Sequence, residues 1–141
     1  MLKIRPGTAE DAQIISDFQD RLCEYHESIN EDHTHGAEPM RRITKDAGKY
    51  LLAFKDGVAV GMLKLTTTGG SSSISSFYVD DNVRGQGIGS ALLNAAVNDS
   101  RERGSKYIRL VVKNKNTNAK KLYEKVGFKA GATVMYYELE D

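Results

Sequence analysis

The chain has no tryptophan, one cysteine and two prolines in 141 residues. A lone Cys23 rules out an internal disulfide framework, so stability must come from a packed core. Cys23 reads as a small buried hydrophobe on a helix and suits a reducing, cytoplasmic setting. No apolar run approaches the roughly 20 residues of a membrane span, and Met1-Leu2-Lys3-Ile4-Arg5-Pro6 reads as strand and turn rather than as a signal peptide. There is no internal repeat, and the G-x-x-x-x-G-K-[ST] run of a P-loop is missing. Of three histidines, His33 and His35 form an H-x-H pair, too few ligands for a metal site, and none is assigned.

What is present suits one domain spanning residues 1–141: 40% hydrophobic and 28% charged residues, with enough length for one substantial core. The net charge is only +1, but it is unevenly spread. Residues 1–83 carry 9 basic and 13 acidic side chains, whereas residues 84–129 carry 11 basic and 3 acidic. Between Glu10 and Glu38 nine acidic residues face Arg21 alone. The basic half suits a polyanionic ligand and the acidic segment a cationic one; solvated helix faces would give the same composition.

Periodicity supplies the elements. Leu2–Arg5 alternates as a strand, and Thr8 caps a helix whose buried stripe is Ile15, Phe18, Leu22 and Tyr25. A polar loop over Ser28–Pro39 leads to a short helix near Pro39–Ala47. Tyr50–Lys55 and Val58–Thr66 are strand-like, and Asp56-Gly57 between them is a hairpin signal. Strands are also expected at Ile74–Val79, Tyr107–Val112 and Val134–Leu139. One helix is expected from Gly87 to Arg103, stopped by Gly104. Another carries Ala119, Leu122, Tyr123 and Val126 and is stopped by Gly127. This order is that of an α/β sandwich, helices covering both faces of a mixed, mostly antiparallel sheet.

The densest signal is Val83-Arg84-Gly85-Gln86-Gly87-Ile88-Gly89-Ser90, between a strand and a helix. Glycines there allow a tight turn, and the helix start presents free N–H groups to a pyrophosphate. A dinucleotide-binding G-x-G-x-x-G would need glycine where Ser90 stands. Arg84-x-x-Gly87-x-Gly89 instead resembles the pyrophosphate loop [RQ]-x-x-G-x-[GA] of the GNAT superfamily of N-acetyltransferases. Asn116 to Phe128 is similar to that family's N-x-x-A-x-x-L-Y-x-K-x-G-F segment.

The resemblance implies an acyl-CoA N-acyltransferase fold with about six to seven strands and four helices. It also implies acetyl-CoA as cosubstrate and transfer of its acetyl group to an amine. Backbone groups of Gly85, Gln86, Gly87, Ile88, Gly89 and Ser90 would face the pyrophosphate, with Arg84 adding charge. Backbone groups of Phe77, Tyr78 and Val79 would meet the pantetheine arm and the acetyl carbonyl. Asn116 would help to hold the cofactor, and Tyr123 would be the general acid. The residues alone leave Asn116 as a helix N-cap and Tyr123 as a core tyrosine. Family members often place two strands after the G-F dipeptide. Thirteen residues follow Phe128, so either the penultimate strand is very short or a partner chain, as in a homodimer, completes the sheet edge.

Ser71–Val79 holds no Asp or Glu, so no general base is assigned on that strand. Glu24 and Glu27, near the expected acceptor site, are candidate contacts for a small cationic amine; His26 lies beside them. A peptide or protein amine is the alternative acceptor, and a non-catalytic acyl-CoA-binding module the alternative function. No nucleic-acid-binding module or membrane partner is expected.

Overall fold

A computed structural model describes residues 1–28 and 39–139, with side chains for 1–25 and 39–139. The expected polar loop therefore lies outside the described residues, as do His33 and His35.

Five strands form one sheet in chain order: β1 (Leu2–Pro6), β2 (Tyr50–Lys55), β3 (Val58–Thr68), β4 (Ser71–Val79) and β5 (Tyr107–Arg109). β1 to β4 pair antiparallel, and β5 runs parallel to β4. The connections explain the directions. Asp56 and Gly57 turn β2 into β3 with φ of 51° and 83°, as a two-residue hairpin of the I′ type requires. A parallel neighbour needs a crossover, and α3 (Ile88–Glu102) supplies it between β4 and β5.

Successive strand residues point to opposite faces, and two cores result. Leu52, Met62 and Tyr78 join Ile15 and Phe18 of α1 (Ala12–Ser28) and Ile43 of α2 (Met40–Asp46). Leu51, Leu63 and Ile74 face the other way, onto Ile88, Leu92, Leu93 and Ala96 of α3. Leu122, Tyr123 and Val126 of α4 (Thr117–Val126) pack against that second core. Thr8 begins the first helical segment as expected, through a 3-10 turn at Ala9–Asp11 that leads into α1. The Asp11 carboxylate accepts from the Thr8 amide at 2.8 Å and from the Arg5 guanidinium at 2.8 and 3.1 Å, tying α1 to β1. The Arg5 hydrogen bonds hold its carboxyl down at about 2.

Among the described residues the sheet is shorter at its far edge than the sequence suggests, with five strands instead of six or seven. β5 stops at Arg109 rather than Val112, and residues 134–139 form no strand. A strand persists only where a neighbour takes its backbone hydrogen bonds. The β4–β5 ladder ends at Ser73–Arg109. Beyond it, β4 carries a bulge opposite Met62–Lys64, with Ser76 at a φ of 53°. Bulges bend and twist a strand, and β5 does not follow β4 past that point. Among the described residues no helix is long and apolar enough to cross a membrane.

Candidate active site

Where β4 and β5 part, they leave a cleft of about 530 Å³. Ile74–Val79 form one wall and Leu110, Val111 and Val112 the other. The first turn of α3 closes one end, α4 covers a side, and Leu22 and Tyr25 of α1 reach the mouth. Past Ser73, the edge of β4 that faces this gap has no strand partner among the described residues.

The glycine loop shapes the α3 end. Gly87 is the N-cap with φ of 81°, a conformation that costs any residue with a Cβ. The first intrahelical hydrogen bond runs from the Ala91 amide to the Gly87 carbonyl at 3.0 Å. The amides of Ile88, Gly89 and Ser90 therefore precede the helical ladder and carry the positive end of its dipole. Gly89 is needed for a different reason. A Cβ there would meet Leu122 Cδ2 at 3.0 Å and Phe77 Cζ at 3.3 Å. Its absence lets α3 lie close to both β4 and α4, and the cleft is bounded by all three.

Arg84 is held beside this loop. Its Nε donates to the Val79 carbonyl at 3.2 Å, its Nη2 pairs with Asp81 at 3.1 Å, and its guanidinium lies 5.0 Å from the Tyr25 ring centre. On α4, the Asn116 side chain accepts from the Ala119 amide at 3.3 Å and also lines the cleft, so it serves as the N-cap while facing the site. Tyr123 lines the cleft two helical turns further on. Its ring is 5.9 Å from Phe77 and 6.0 Å from Phe128.

Of the residues singled out from the sequence whose side chains are described, all line the cleft except Gln86 and Glu24. The Gln86 side chain turns away to accept from Lys55 at the end of β2. Glu24 is exposed on α1 and does not reach the cleft wall. The side chains of Glu27 and His26 lie outside the described residues. The Tyr78 side chain points to the α1 face, where its hydroxyl donates to Asp80 at 2.9 Å and its ring packs on Phe18. Burial, reinforced by that bond, pushes the phenol up to about 12, so it stays protonated and is no base.

Sequence reasoning missed two contributors. Tyr25 was assigned only to the buried stripe of α1, and nothing in its spacing signals a stack on Arg84. Ser76 carries the bulge although its neighbours Ser72, Ser73 and Ser75 look alike in sequence. Of the four lysines that the sequence offers for an outlying phosphate, Lys113, Lys115, Lys120 and Lys125, Lys125 lines the cleft.

The profile of the acetyltransferase (GNAT) family matches residues 15–128. The chain belongs to that family. Acetyl transfer from acetyl-CoA to an amine is thus its class of chemistry. A Bacillus subtilis relative, the uncharacterized N-acetyltransferase YhfO, is 25% identical over 144 residues, covering 96% of this chain and 95% of its own. Among solved structures, AAC(6')-Iy in complex with the bisubstrate analogue CoA-S-monomethyl-acetylneamine superposes with a TM-score of 0.78 at 15% identity, over 100% of this chain and 99% of its own. The ribosomal-protein-alanine N-acetyltransferase of Brucella melitensis biovar Abortus 2308 does so with a TM-score of 0.75 at 18% identity, over 99% and 100%. At these identities the two structures share the fold with this chain; their acceptors differ.

Proposed function

We propose that the cleft binds acetyl-CoA with its diphosphate on the first turn of α3 and its pantetheine arm along the open edge of β4, and that the chain acetylates a small cationic amine. The observation that carries this reading is the convergence of the parted strands, the unladdered amides of Ile88, Gly89 and Ser90, and Tyr123 on one cleft.

The parts fit the group. A diphosphate needs donors and positive charge, which the α3 amides, Arg84 and Lys125 provide. The pantetheine arm carries amides of its own, and the unpaired backbone of β4 offers them strand-like partners. Backbone donors around Phe77 and Tyr78 face the oxyanion that develops on the thioester carbonyl, worth about 3 kcal/mol for each well-placed donor. The amine attacks as a neutral species, giving its proton to solvent or to a base. The bond between carbonyl carbon and sulfur then breaks, and the Tyr123 hydroxyl delivers a proton to the departing thiolate.

No carboxylate or imidazole lines the cleft among the described residues. The base is accordingly a relayed water or a group from beyond that lining. The acidic run between Glu10 and Glu38, which includes Glu24 and Glu27, supports a cationic acceptor. Cytoplasmic residence and action without nucleic acid belong to the same reading.

An amine panel of polyamines, aminoglycosides and short peptides, assayed for free thiol release from acetyl-CoA, tests it. Turnover confined to peptides would replace the small amine with a peptide α-amine. Heat of CoA binding without turnover on any amine would leave a binding module.

A further inference from the structure

A second cavity, of about 500 Å³, lies between the C-terminal ends of α3 and α4 and the start of β5, and it shares no lining residue with the cleft. We infer that it binds a small organic anion, a carboxylate or phosphate monoester on a compact apolar body, through the Ser100 hydroxyl and the cations Arg101, Lys106 and Lys129.

Ser100 carries the inference. It lines this cavity, is 1% exposed, and its hydroxyl meets no hydrogen-bond partner. A helical serine commonly bonds back to the carbonyl four residues earlier, and a buried hydroxyl left alone costs stability. The fold satisfies such groups nearby. The buried Ser72 hydroxyl is bonded to those of Thr67 at 3.0 Å and Ser105 at 2.7 Å. Ser100 therefore holds a donor in reserve at a cavity wall, where a ligand oxygen can accept from it.

The charge of the lining sets the sign of that ligand. Arg101, Lys106 and Lys129 line the cavity, and no carboxylate does. Arg101 lies in the last turn of α3, where a cation complements the helix dipole. Lys106 and Lys129 lie beyond both helix ends and have no such task. The helix ends do not repel an anion strongly, because their carbonyls are already engaged. Those of Asp99, Ser100 and Arg101 accept from the amides of Arg103, Ser105 and Gly104, and those of Tyr123 and Glu124 accept from Gly127. Val97, Ile108, Val126 and Phe128 supply the apolar remainder, so an anion with an apolar body fits better than a bare inorganic one.

Phe128 gives the cavity a bearing on the cleft. It lines the cavity, and its ring lies 6.0 Å from that of Tyr123, edge to face. A ligand against Phe128 touches the ring that supports Tyr123.

Calorimetry of the full chain with sodium benzoate, in the presence of saturating CoA and at fixed ionic strength, tests the inference. We expect a dissociation constant on the order of 1 mM or below, with phenyl phosphate similar. Benzamide, which has the shape without the charge, and sulfate, which has charge without the body, should each bind at least about tenfold more weakly. Ser100→Ala should lower benzoate affinity about tenfold and leave the melting temperature of the unliganded chain no lower, since it removes a hydroxyl that bonds nothing. Lys106→Ala and Lys129→Ala, both at exposed side chains, should each weaken binding severalfold. No heat with benzoate at concentrations on the order of 10 mM would overturn the inference. So would equal binding of benzamide or of sulfate, an unchanged affinity in Ser100→Ala, or a melting temperature lowered by that substitution. Binding that vanishes when CoA is present would place benzoate in the cleft and overturn it too. The acyl-transfer reading is separate: a chain that takes benzoate but no CoA keeps this site and loses that reading.

Discussion

The Gln19 side chain joins helix α1 to the strained residue of β4: its amide donates to the Ser76 hydroxyl at 3.1 Å and to the Tyr50 hydroxyl at 3.0 Å. Gln19 is buried, and Ser76 sits at a φ of 53°, where a side chain is normally unwelcome. The bond thus holds the bulge that turns the next two residues, Phe77 and Tyr78, along the cleft. Gln19→Leu removes both bonds from a buried site, and should lower unfolding stability in urea by roughly 1–3 kcal/mol. It should also reduce kcat more than it raises the KM for acetyl-CoA. Ser76→Gly accepts the backbone conformation without strain and should cost less. An unchanged kcat in both variants would show that the hydroxyl contact does not position the strand.

Gly87 and Gly89 should fail differently when changed to alanine. At Gly87 a Cβ meets no atom within 4 Å, so the cost is backbone strain of roughly 1–2 kcal/mol. At Gly89 the new methyl must displace Leu122 or Phe77, pushing α3 from α4 and β4. Isothermal calorimetry should find weakened CoA binding in both, while thermal melts should show repacking of the second core only for Gly89→Ala.

Tyr123→Phe keeps the ring against Phe77 and Phe128 and deletes the hydroxyl. We expect CoA affinity close to wild type and kcat lower by about 10²–10⁴, the range for a positioned general acid. An unchanged kcat would take Tyr123 out of the chemistry.

The Arg5–Asp11 pair makes a prediction about acid stability. Asp11 ionises at about 2 in the fold, below its ordinary 3.8. A lowered folded value gives stability that is complete above the unfolded value and lost as pH falls from about 4 to about 2. Because Arg5 is half exposed, solvent screening reduces the gain to roughly 1 kcal/mol. Urea melts of Asp11→Asn should therefore differ from wild type at neutral pH and converge with it near pH 2.

Much of the fold was legible because its signals are local. The Asp56-Gly57 turn, the Gly87 helix start and the Asn116 cap each depend on a few adjacent residues, and each lies where periodicity put it. The apolar stripes of α1, α3 and α4 were also plain, since spacing alone defines a helix face. The far edge of the sheet was not. Tyr107–Val112 has strand composition throughout, yet only Tyr107–Arg109 finds a partner, because pairing depends on where β4 bends. The bulge at Ser76 and the Arg84 stack on Tyr25 are likewise contacts between distant segments. Within the cleft, the unladdered amides at the start of α3 were readable and its mouth was not. Leu22 and Tyr25 line that mouth, and their sequence pattern is that of any core helix.

The separation of β4 from β5 has one more consequence. A sheet with a missing rung is weakest at that seam, and an amide-bearing thread laid along it would act as the absent rung. Occupancy by the first substrate should then stiffen the protein from its middle outward, slowing exchange in β5 and α4 well beyond the atoms touched. The melting temperature should climb with each increment of free ligand. Order of addition follows as well, since the second substrate would meet a finished wall only after the first has been threaded in.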